Sequence, residues 1–298
     1  AGGGMEALNM AAQILLEKDD VVLVESPTFV QSIQTFELLE AKCIACKTDN
    51  DGYIIADVEE KIKTYSPKAI YVIPTFQNPT GRTTSLERRI ELAKLANRYG
   101  IVVIEDDPYA EMRYSGKDLP PVIAYDEVGN FIYVNSFSKI FSPGCRLGYV
   151  YAASEIVDKL YDVKTALNSH TGMISQVLCA EFFNRGYYEP HLEKICDIHR
   201  ERRDAMMECI EKLMPEGSQC TYPDGGLFAW LELPEHIDTT ALLPEAMKEK
   251  VAYMPGEKFY ASSGPQKKNC MRLSFGGMEP ESIKIGMERL AKVVKKFV

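Results

Sequence analysis

Four short stretches of the chain are apolar throughout, and no other feature of the sequence constrains the fold as strongly. They are residues 21–24, 69–73, 101–104 and 131–134. A strand without alternation of polar and apolar residues is typical of a sheet covered by helices on both faces. Helical stretches separate the four runs, so the sequence predicts an α/β fold with a doubly wound, mostly parallel sheet.

The clearest of the separating helices is predicted at residues 85–99. Thr84 and Glu87 have the spacing of a capping box, and Gly100 is placed to end the helix. An earlier amphipathic segment, residues 5–17, follows a run of three glycines. Both helices therefore fit the alternation of strand and helix that a doubly wound sheet requires.

The character of the chain changes after residue 152. Long helical patterns are followed by a smaller α+β pattern, with predicted helices at 155–167, 175–185 and about 189–213 and strands near 219–222, 227–233, 252–254 and 270–274. The 298 residues are enough for two domains. We therefore expect a larger domain at residues 1–187 and a smaller C-terminal domain at residues 188–298.

Ligands of such sheets bind beyond the carboxyl ends of the strands. Lys139 lies beyond the carboxyl end of the run at 131–134. Two residues with hydroxyl groups, Ser136 and Ser138, come before it, and Arg146 follows it between two glycines. A lysine that forms a Schiff base needs a fixed, partly desolvated position, so that its amine is neutral and nucleophilic. Hydroxyl groups and a guanidinium suit a phosphate dianion. A surface lysine in a serine-rich loop is the alternative that this segment alone leaves open.

Two further strand ends and one helix start carry polar or glycine-rich segments. Asn78 opens an Asn-Pro-Thr-Gly turn, and residues 105–107 place three carboxylates in a row, which predicts a cationic partner such as a pyridinium nitrogen. Gly3 and Gly4 lead into the first helix, whose free N–H groups form a natural phosphate site. The dinucleotide-binding fingerprint does not fit, because the GxGxxG spacing is absent.

Composition excludes several classes of function. A net charge of −9 argues against a nucleic-acid partner, and no apolar run approaches the roughly 20 residues that cross a membrane. The eight cysteines show no disulfide framework, which predicts reduced thiols and a cytoplasmic protein. Cys43 and Cys46 form an isolated CxxC, and the four histidines do not cluster, so no metal site is expected.

The motifs together resemble one family. The order Pro-Thr-Phe, Asn-Pro-Thr-Gly, Asp-Asp-Pro-Tyr, Ser-Phe-Ser-Lys, Pro-Gly-Cys-Arg-Leu-Gly and Met-Arg-Leu-Ser-Phe, after a glycine-rich helix start, resembles the fold type I aminotransferases that depend on pyridoxal 5′-phosphate. Within them it is most similar to the branch of 2-aminoadipate and aromatic amino acid aminotransferases. The resemblance implies that the larger domain binds the cofactor.

The resemblance also implies a role for each matching residue. Lys139 would form the Schiff base with the cofactor and shuttle the proton between the substrate α-carbon and the cofactor. Asp106 would pair with the pyridine nitrogen, and Tyr109 and Asn78 would hold the phenolic oxygen. The remaining contacts would be Phe29 on the ring, Ser136, Ser138, Arg146, Gly3, Gly4 and Met5 at the phosphate, and Arg272 with Asn78 on the substrate carboxylate.

Two departures from the family pattern affect these expectations. This chain has Gly4-Met5-Glu6-Ala7-Leu8 where the branch usually has Ser-Gln-Gln-Ala-Leu, so backbone contacts to the phosphate are expected rather than side-chain contacts there. Family members also have about a hundred residues before the glycine run, as the usual size of such domains indicates. We therefore expect that the chain is an N-terminally truncated fragment.

The function that the resemblance implies is the transfer of an α-amino group from an aromatic amino acid, 2-aminoadipate or a similar donor to a 2-oxo acid, 2-oxoglutarate being expected. The alternative is an aminotransferase-like, ligand-sensing domain of a winged-helix transcription regulator. The family also implies a homodimer with residues 168–171 near the interface, and cis bonds before Pro27 and Pro79. Residues 164–176 contain no arginine, which disfavours a strict dicarboxylate substrate.

Overall fold

The computed structural model describes residues 1–297, and its larger sheet has seven strands in the order β3-β2-β1-β4-β5-β6-β7. The strands are β1 (Val21–Ser26), β2 (Lys42–Asp49), β3 (Gly52–Tyr53), β4 (Ala69–Val72), β5 (Val102–Asp106), β6 (Phe131–Ser136) and β7 (Gly148–Tyr151). Neighbouring strands are parallel, except that the edge strand β3 is antiparallel to β2 and the edge strand β7 is antiparallel to β6. The predicted doubly wound, mostly parallel sheet is confirmed.

Helices cover both faces of this sheet, which explains the apolar runs. Along β1, Val22 and Val24 pack into one core with Ala7 and Phe36, whereas Leu23 packs into a second core on the opposite face. The helices are α1 (Gly4–Leu15), α2 (Val30–Leu38), α3 (Ile55–Tyr65), α4 (Leu86–Tyr99), α5 (Ser154–Asn168), α6 (Met173–Asn184), α7 (Tyr188–Leu213), α8 (Thr239–Lys248) and α9 (Pro280–Val294). Because both faces are buried, apolar residues follow one another along the central strands, and the buried polar residues lie toward the strand ends.

The start of α4 differs from the predicted capping box. Ser85 is the N-cap, and its hydroxyl accepts a hydrogen bond from Arg88 N at 3.3 Å. Thr84 instead donates its N–H to Pro74 O and lies against Gly52. The prediction of Thr84 and Glu87 was therefore wrong by one residue, whereas Gly100, which adopts the left-handed conformation, ends the helix as predicted.

A second, antiparallel sheet lies in the C-terminal part of the chain, in the order β10-β11-β9-β8. Its strands are β8 (Gln219–Cys220), β9 (Phe228–Glu232), β10 (Met254–Pro255) and β11 (Cys270–Ser274). Three of them are shorter than predicted or shifted, and β11 has the predicted bounds. The helices α7, α8 and α9 pack on this sheet around a core that includes Leu231, Met271 and Leu290.

The cysteines of the CxxC motif point to opposite faces of β2. Cys43 belongs to the core on one side of the large sheet and Cys46 to the core on the other, so the two thiols cannot act as a pair. The eight cysteines are all free thiols in the structure. Among residues 1–297, no helix has both the length and the apolar composition that crossing a membrane requires.

Candidate active site

The carboxyl ends of the parallel strands, the start of α1 and one wall of the small sheet enclose a pocket of about 320 Å³. The predicted site residues meet here: the lining includes Gly4, Met5, Phe29, Asn78, Asp106, Tyr109, Ser136, Ser138, Lys139, Arg146 and Arg272. Gly3 lies directly beside it as the N-cap of α1. The structure thus brings together side chains from almost the whole length of the chain. The bonds before Pro27 and Pro79 are cis, as predicted.

One end of the pocket is built from small residues, hydroxyls and a guanidinium. Ser136 Oγ donates to Ser138 Oγ at 3.0 Å, and Arg146 Nη1 donates to Ser138 Oγ at 3.3 Å. A side chain at Gly3, which has φ 98°, would place Cβ 2.4 Å from Arg146 Nη2, so only glycine leaves room for the guanidinium. With the N-terminus of α1 alongside, this end has the donor set of a phosphate site.

The departure from the family pattern at Glu6 has a structural consequence. The Glu6 side chain turns away from the pocket and accepts hydrogen bonds from Lys164 Nζ and Asn168 Nδ2, both at 2.6 Å. Burial opposes ionisation, but hydrogen bonds from Lys164, the Gly2 amide and Asn168 lower the pKa of Glu6 to about 2. Glu6 therefore ties α1 to α5 and leaves the anion site to the backbone.

Lys139 lies in the turn after β6 and is partly buried in the pocket. Burial lowers the pKa of its amine, and the positive charges of Arg146 and Arg272 lower it further. The amine is thus held nearer to its neutral, nucleophilic form, which was the physical requirement expected for this lysine.

Asp106 is the last residue of β5, and the residue is 7% exposed. Its Oδ2 accepts a hydrogen bond from the hydroxyl of Tyr71 at 2.7 Å. Burial raises the pKa of Asp106 to about 6, and the hydrogen bond from Tyr71 opposes the rise. The sequence did not single out Tyr71, because it lies inside an apolar run.

The two carboxylates beside Asp106 do not share its surroundings. Side chains alternate across a strand, and Glu105 instead accepts hydrogen bonds from the amides of Val122 and Ile123, both at 2.8 Å. Burial raises the pKa of Glu105 and of Asp107, and Arg89 lowers both. Asp106 alone of the three lines the pocket, and it is the acid for which a pairing with the ring nitrogen was expected.

Arg272, on β11, brings a positive charge from the small sheet. Its Nη1 donates to Asn78 Oδ1 at 2.9 Å, and its guanidinium lies 4.0 Å from the ring centre of Phe228 and 5.0 Å from that of Phe259. The buried Nε has no hydrogen-bond partner among the described residues. Arg272 thus has donors available for an anion in the pocket.

Asn78 and Tyr109 lie in the pocket between the strand ends of the large sheet and the small sheet. Burial and the carboxylate of Asp106 raise the pKa of the Tyr109 phenol above its usual range, and the nearby side chains of Arg272 and Asn78 oppose the rise. Tyr109 also contacts Phe228 edge to face, with 6.0 Å between ring centres. Gly81 permits this arrangement: a Cβ there would lie 2.5 Å from Phe228 O. Local sequence gives no signal for Phe228, since nothing in a strand pattern indicates which loop it meets.

These residues fit pyridoxal 5′-phosphate. Gly3 and Gly4, together with Arg146 and the two serines, suit the phosphate. The partly buried Lys139 suits the aldehyde, and the carboxylate of Asp106 suits the ring nitrogen. The buried, unpaired Nε of Arg272 calls for an anionic partner. No chemistry of the donor set conflicts with this cofactor.

Comparison with known proteins supports the same conclusion. Residues 1–290 match the family model described as aminotransferase class I and II. The chain is 38% identical to the aromatic-amino-acid aminotransferase 1 of Thermococcus litoralis, an alignment that covers 99% of this chain and 71% of that protein. It is 30% identical to the HTH-type transcriptional regulator NorG of Staphylococcus aureus, over 99% of this chain and 65% of the regulator.

Two solved structures share the fold closely. The kynurenine aminotransferase of Pyrococcus horikoshii, in complex with PMP, has a TM-score of 0.95 and 38% identity, covering 99% of this chain and 74% of that one. The α-aminoadipate aminotransferase of Thermus thermophilus, complexed with N-(5′-phosphopyridoxyl)-L-leucine, has a TM-score of 0.95 and 33% identity, covering 100% and 76%. The chain therefore belongs to the class I and II aminotransferases, enzymes whose cofactor is pyridoxal 5′-phosphate.

Proposed function

We propose that this protein transfers the α-amino group of an aromatic amino acid, 2-aminoadipate or a similar donor to a 2-oxo acid, with 2-oxoglutarate as the acceptor. The observation that carries the proposal is the meeting of Lys139, Asp106 and Arg272 in one pocket. An amine, an acid and a carboxylate-binding cation are the groups that transamination requires from a protein.

Each end of the pocket has a task in this proposal. Ser136, Ser138 and Arg146, with the backbone of Gly3, Gly4 and Met5, hold the phosphate, and Phe29 lies on the ring. Asp106 holds a proton on the ring nitrogen, and Asn78 and Tyr109 bind the phenolic oxygen. When bound, the cofactor supplies a carbonyl that amines attack and a ring that withdraws electrons from the substrate α-carbon.

Lys139 is the proton carrier in this proposal. Its neutral amine would remove the proton from the substrate α-carbon and would hold it for return after the electrons have moved toward the ring. Burial and the two flanking arginines favour this neutral state, because each lowers the pKa of the amine. Borohydride reduction followed by peptide mapping should label Lys139.

Arg272 orients the substrate. Its guanidinium can form two parallel hydrogen bonds with the α-carboxylate, and Asn78 keeps the fork in place from the side. Phe228 and Phe259 hold its plane, and Phe228, Met254 and Phe29 give the surrounding wall an apolar character that suits an aromatic side chain. The lack of an arginine in residues 164–176 argues against an enzyme that accepts dicarboxylate donors exclusively.

The test of the proposed function is a panel of donors and acceptors, assayed on the full-length protein with added cofactor. We expect the absorbance of the pyridoxal form to change to that of the pyridoxamine form when phenylalanine, tyrosine, kynurenine or 2-aminoadipate is added, and 2-oxoglutarate to reverse the change. Release of ammonia, or a spectrum that stays constant with every donor, would contradict the proposal.

A ligand-sensing role is the second candidate, because regulators such as NorG are similar over the same range of this chain. We favour the enzyme because the identity to aminotransferases is higher, 38% against 30%. Specific DNA binding by the full-length protein, together with no net amino transfer in the panel, would favour the regulator.

We further propose that the protein acts as a homodimer. Met173, Ile174, Val177 and Leu178 on α6 are between 54% and 79% exposed, a density of apolar residues unusual for a free surface. The predicted interface residues 168–171 directly precede this helix. Ile174→Asp should convert the dimer to a monomer in sedimentation; an unchanged sedimentation coefficient would contradict this interface.

We also propose a domain boundary near residue 187 and a cytoplasmic location. Tyr188 begins α7, the long helix that packs on the small sheet, and the free cysteines are compatible with a reducing compartment. Limited proteolysis near residues 185–188 and cell fractionation would test the two proposals.

A further inference from the structure

Tyr71 is a buried tyrosine in the middle of an apolar strand, and its hydroxyl reaches the candidate active site. It lies on β4 with 0% exposure, and the hydroxyl donates to Asp106 Oδ2 at 2.7 Å. In the parallel register Tyr71 lies opposite Ile104, so Asp106, two residues later, is on the same face. The hydrogen bond thus crosses from one strand to the next beneath the pocket.

The bond from Tyr71 distinguishes the two oxygens of the Asp106 carboxylate. Oδ2 is occupied by Tyr71, which leaves Oδ1 as the oxygen that can contact a group in the pocket. A buried carboxylate without a donor would be costly to keep ionised and free to rotate about its terminal torsion. One hydroxyl therefore controls both the charge and the orientation of the group.

The phenol is itself held rigidly. Phe36 packs against the ring edge to face at 5.5 Å, and the hydroxyl of Tyr53 donates to the backbone carbonyl of Tyr71 at 2.6 Å. Ser32 lies beside the phenol and donates its hydroxyl to Phe29 O at 2.6 Å. The packing around Tyr71 therefore also supports the segment that carries Phe29.

We propose that Tyr71 is a positioning residue for the cofactor, which holds Asp106 ionised and turned so that Oδ1 faces the ring nitrogen. The proposal rests on the proposed role of Asp106 and assigns a function to a residue that does not itself line the pocket. A tyrosine at this place is needed because leucine or phenylalanine would fill the core equally well but would leave the carboxylate without a donor.

The electrostatics agree with this assignment. Burial raises the pKa of Asp106 to about 6 even with the hydrogen bond in place. Burial and the nearby carboxylate raise the pKa of Tyr71 well above its usual range, so the phenol remains a donor. The other titratable groups near the pair are Tyr109, Lys139, Arg146 and Arg272 in the pocket and Glu25 next to Tyr71.

The first test is an infrared titration of the full-length protein freed of cofactor. The band of the protonated carboxyl group of Asp106, identified by its loss in Asp106→Asn, should titrate near pH 6 in the wild type. In Tyr71→Phe the midpoint should rise by about one unit or more, because a hydrogen bond to a charged group is lost. An unchanged midpoint would overturn the proposal.

Tyr53→Phe is the matched control. It removes a hydroxyl of the same kind from the same core, but that hydroxyl donates to a neutral carbonyl. It should lower thermal stability as Tyr71→Phe does, yet leave the midpoint of Asp106 unchanged. If both variants moved the midpoint equally, Tyr71 would have a structural role only.

The second test measures the affinity for pyridoxal 5′-phosphate. At pH 7 the affinity of Tyr71→Phe should fall by about two- to tenfold, as a rise of one to two units in the pKa of Asp106 implies, and the loss should shrink at pH 9, where Asp106 is ionised in both proteins. In an Asp106→Asn background, Tyr71→Phe should have no further effect; a further loss of similar size would contradict action through Asp106.

The outcomes separate this inference from the proposed function. If the panel of donors shows no transamination but the infrared midpoint moves as described, the pairing of Tyr71 with Asp106 stands and the assigned reaction fails. If transamination occurs and the midpoint does not move, the reaction stands and the role of Tyr71 fails.

Discussion

The wall of the pocket on the large sheet and the wall on the small sheet hold their charged groups in different ways. Asp106 and Lys139 follow directly from adjacent parallel strands, so the backbone of the sheet fixes where they lie. Arg272 is held by side chains: two aromatic rings and one hydrogen bond that it donates to Asn78. The comparison teaches that the cofactor half of the site is set by topology and the substrate half by packing.

This difference predicts a separation of effects. Substitutions on the large-sheet wall should change the affinity for the cofactor equally for every donor. Substitutions on the small-sheet wall should change the donor KM and leave the cofactor affinity alone, because the two sets of contacts are to different molecules.

The largest effect is expected for Lys139→Ala. Removing the amine should lower kcat by at least about a thousandfold with every donor, because covalent attachment and proton transfer are lost together. Single-turnover absorbance measurements would check this. Lys94→Ala, on the exposed face of α4, is the matched control and should behave as the wild type. Activity of Lys139→Ala within tenfold of the wild type would exclude the assigned role.

The next largest effect is expected for Arg272→Lys. The charge remains but the two parallel hydrogen bonds do not, so kcat/KM should fall by about ten- to a hundredfold for all donors. Steady-state kinetics give this value, and fluorescence titration should give an unchanged cofactor affinity. A fall in both quantities would remove the distinction between the two walls.

Arg146→Ala should change the affinity for the cofactor and leave the donor KM unchanged, which is the reverse of the result expected for Arg272→Lys. Arg146 is an exposed residue whose guanidinium contacts Ser138, so the loss of one phosphate contact should weaken cofactor binding by about tenfold. With saturating cofactor, the donor KM should stay at the wild-type value. A raised KM under those conditions would place Arg146 in the substrate half instead.

The smallest effect is expected for Phe228→Leu. The variant keeps an apolar side chain but removes the ring face below Arg272, a contact worth about 0.5–1 kcal/mol at sites with some solvent. The donor KM should rise by about two- to fivefold, since each 1.36 kcal/mol is tenfold. An unchanged KM would show that Asn78 alone is enough to orient Arg272.

Much of the fold and of the cofactor half was predictable from the sequence. Buried parallel strands leave continuous apolar runs, and the residues after them must meet at one edge of the sheet. This reasoning located Asn78, Asp106, Ser136 and Lys139 near one another, and the order of the motifs gave Arg272. It gave no bounds for α2, α3 and α8, whose apolar stripes are short, and it placed the N-cap of α4 one residue too early.

The tertiary structure decided which of several similar side chains lines the pocket. Three consecutive carboxylates look alike in the sequence, but alternation along β5 and the amides of Val122 and Ile123 assign Glu105 to the scaffold and Asp106 to the pocket. Likewise, the sequence presents Tyr71 as one more apolar core residue.

The sequence by itself determined the sheet and the chemistry at its edge, because the runs and motifs are local and their spacing fixes which side chains follow each strand. The tertiary structure alone decided the partners of those side chains: Tyr71 for Asp106, Phe228 for Arg272 and Lys164 for Glu6. Such contacts join residues far apart in the chain, and their geometry depends on how elements pack rather than on any local pattern.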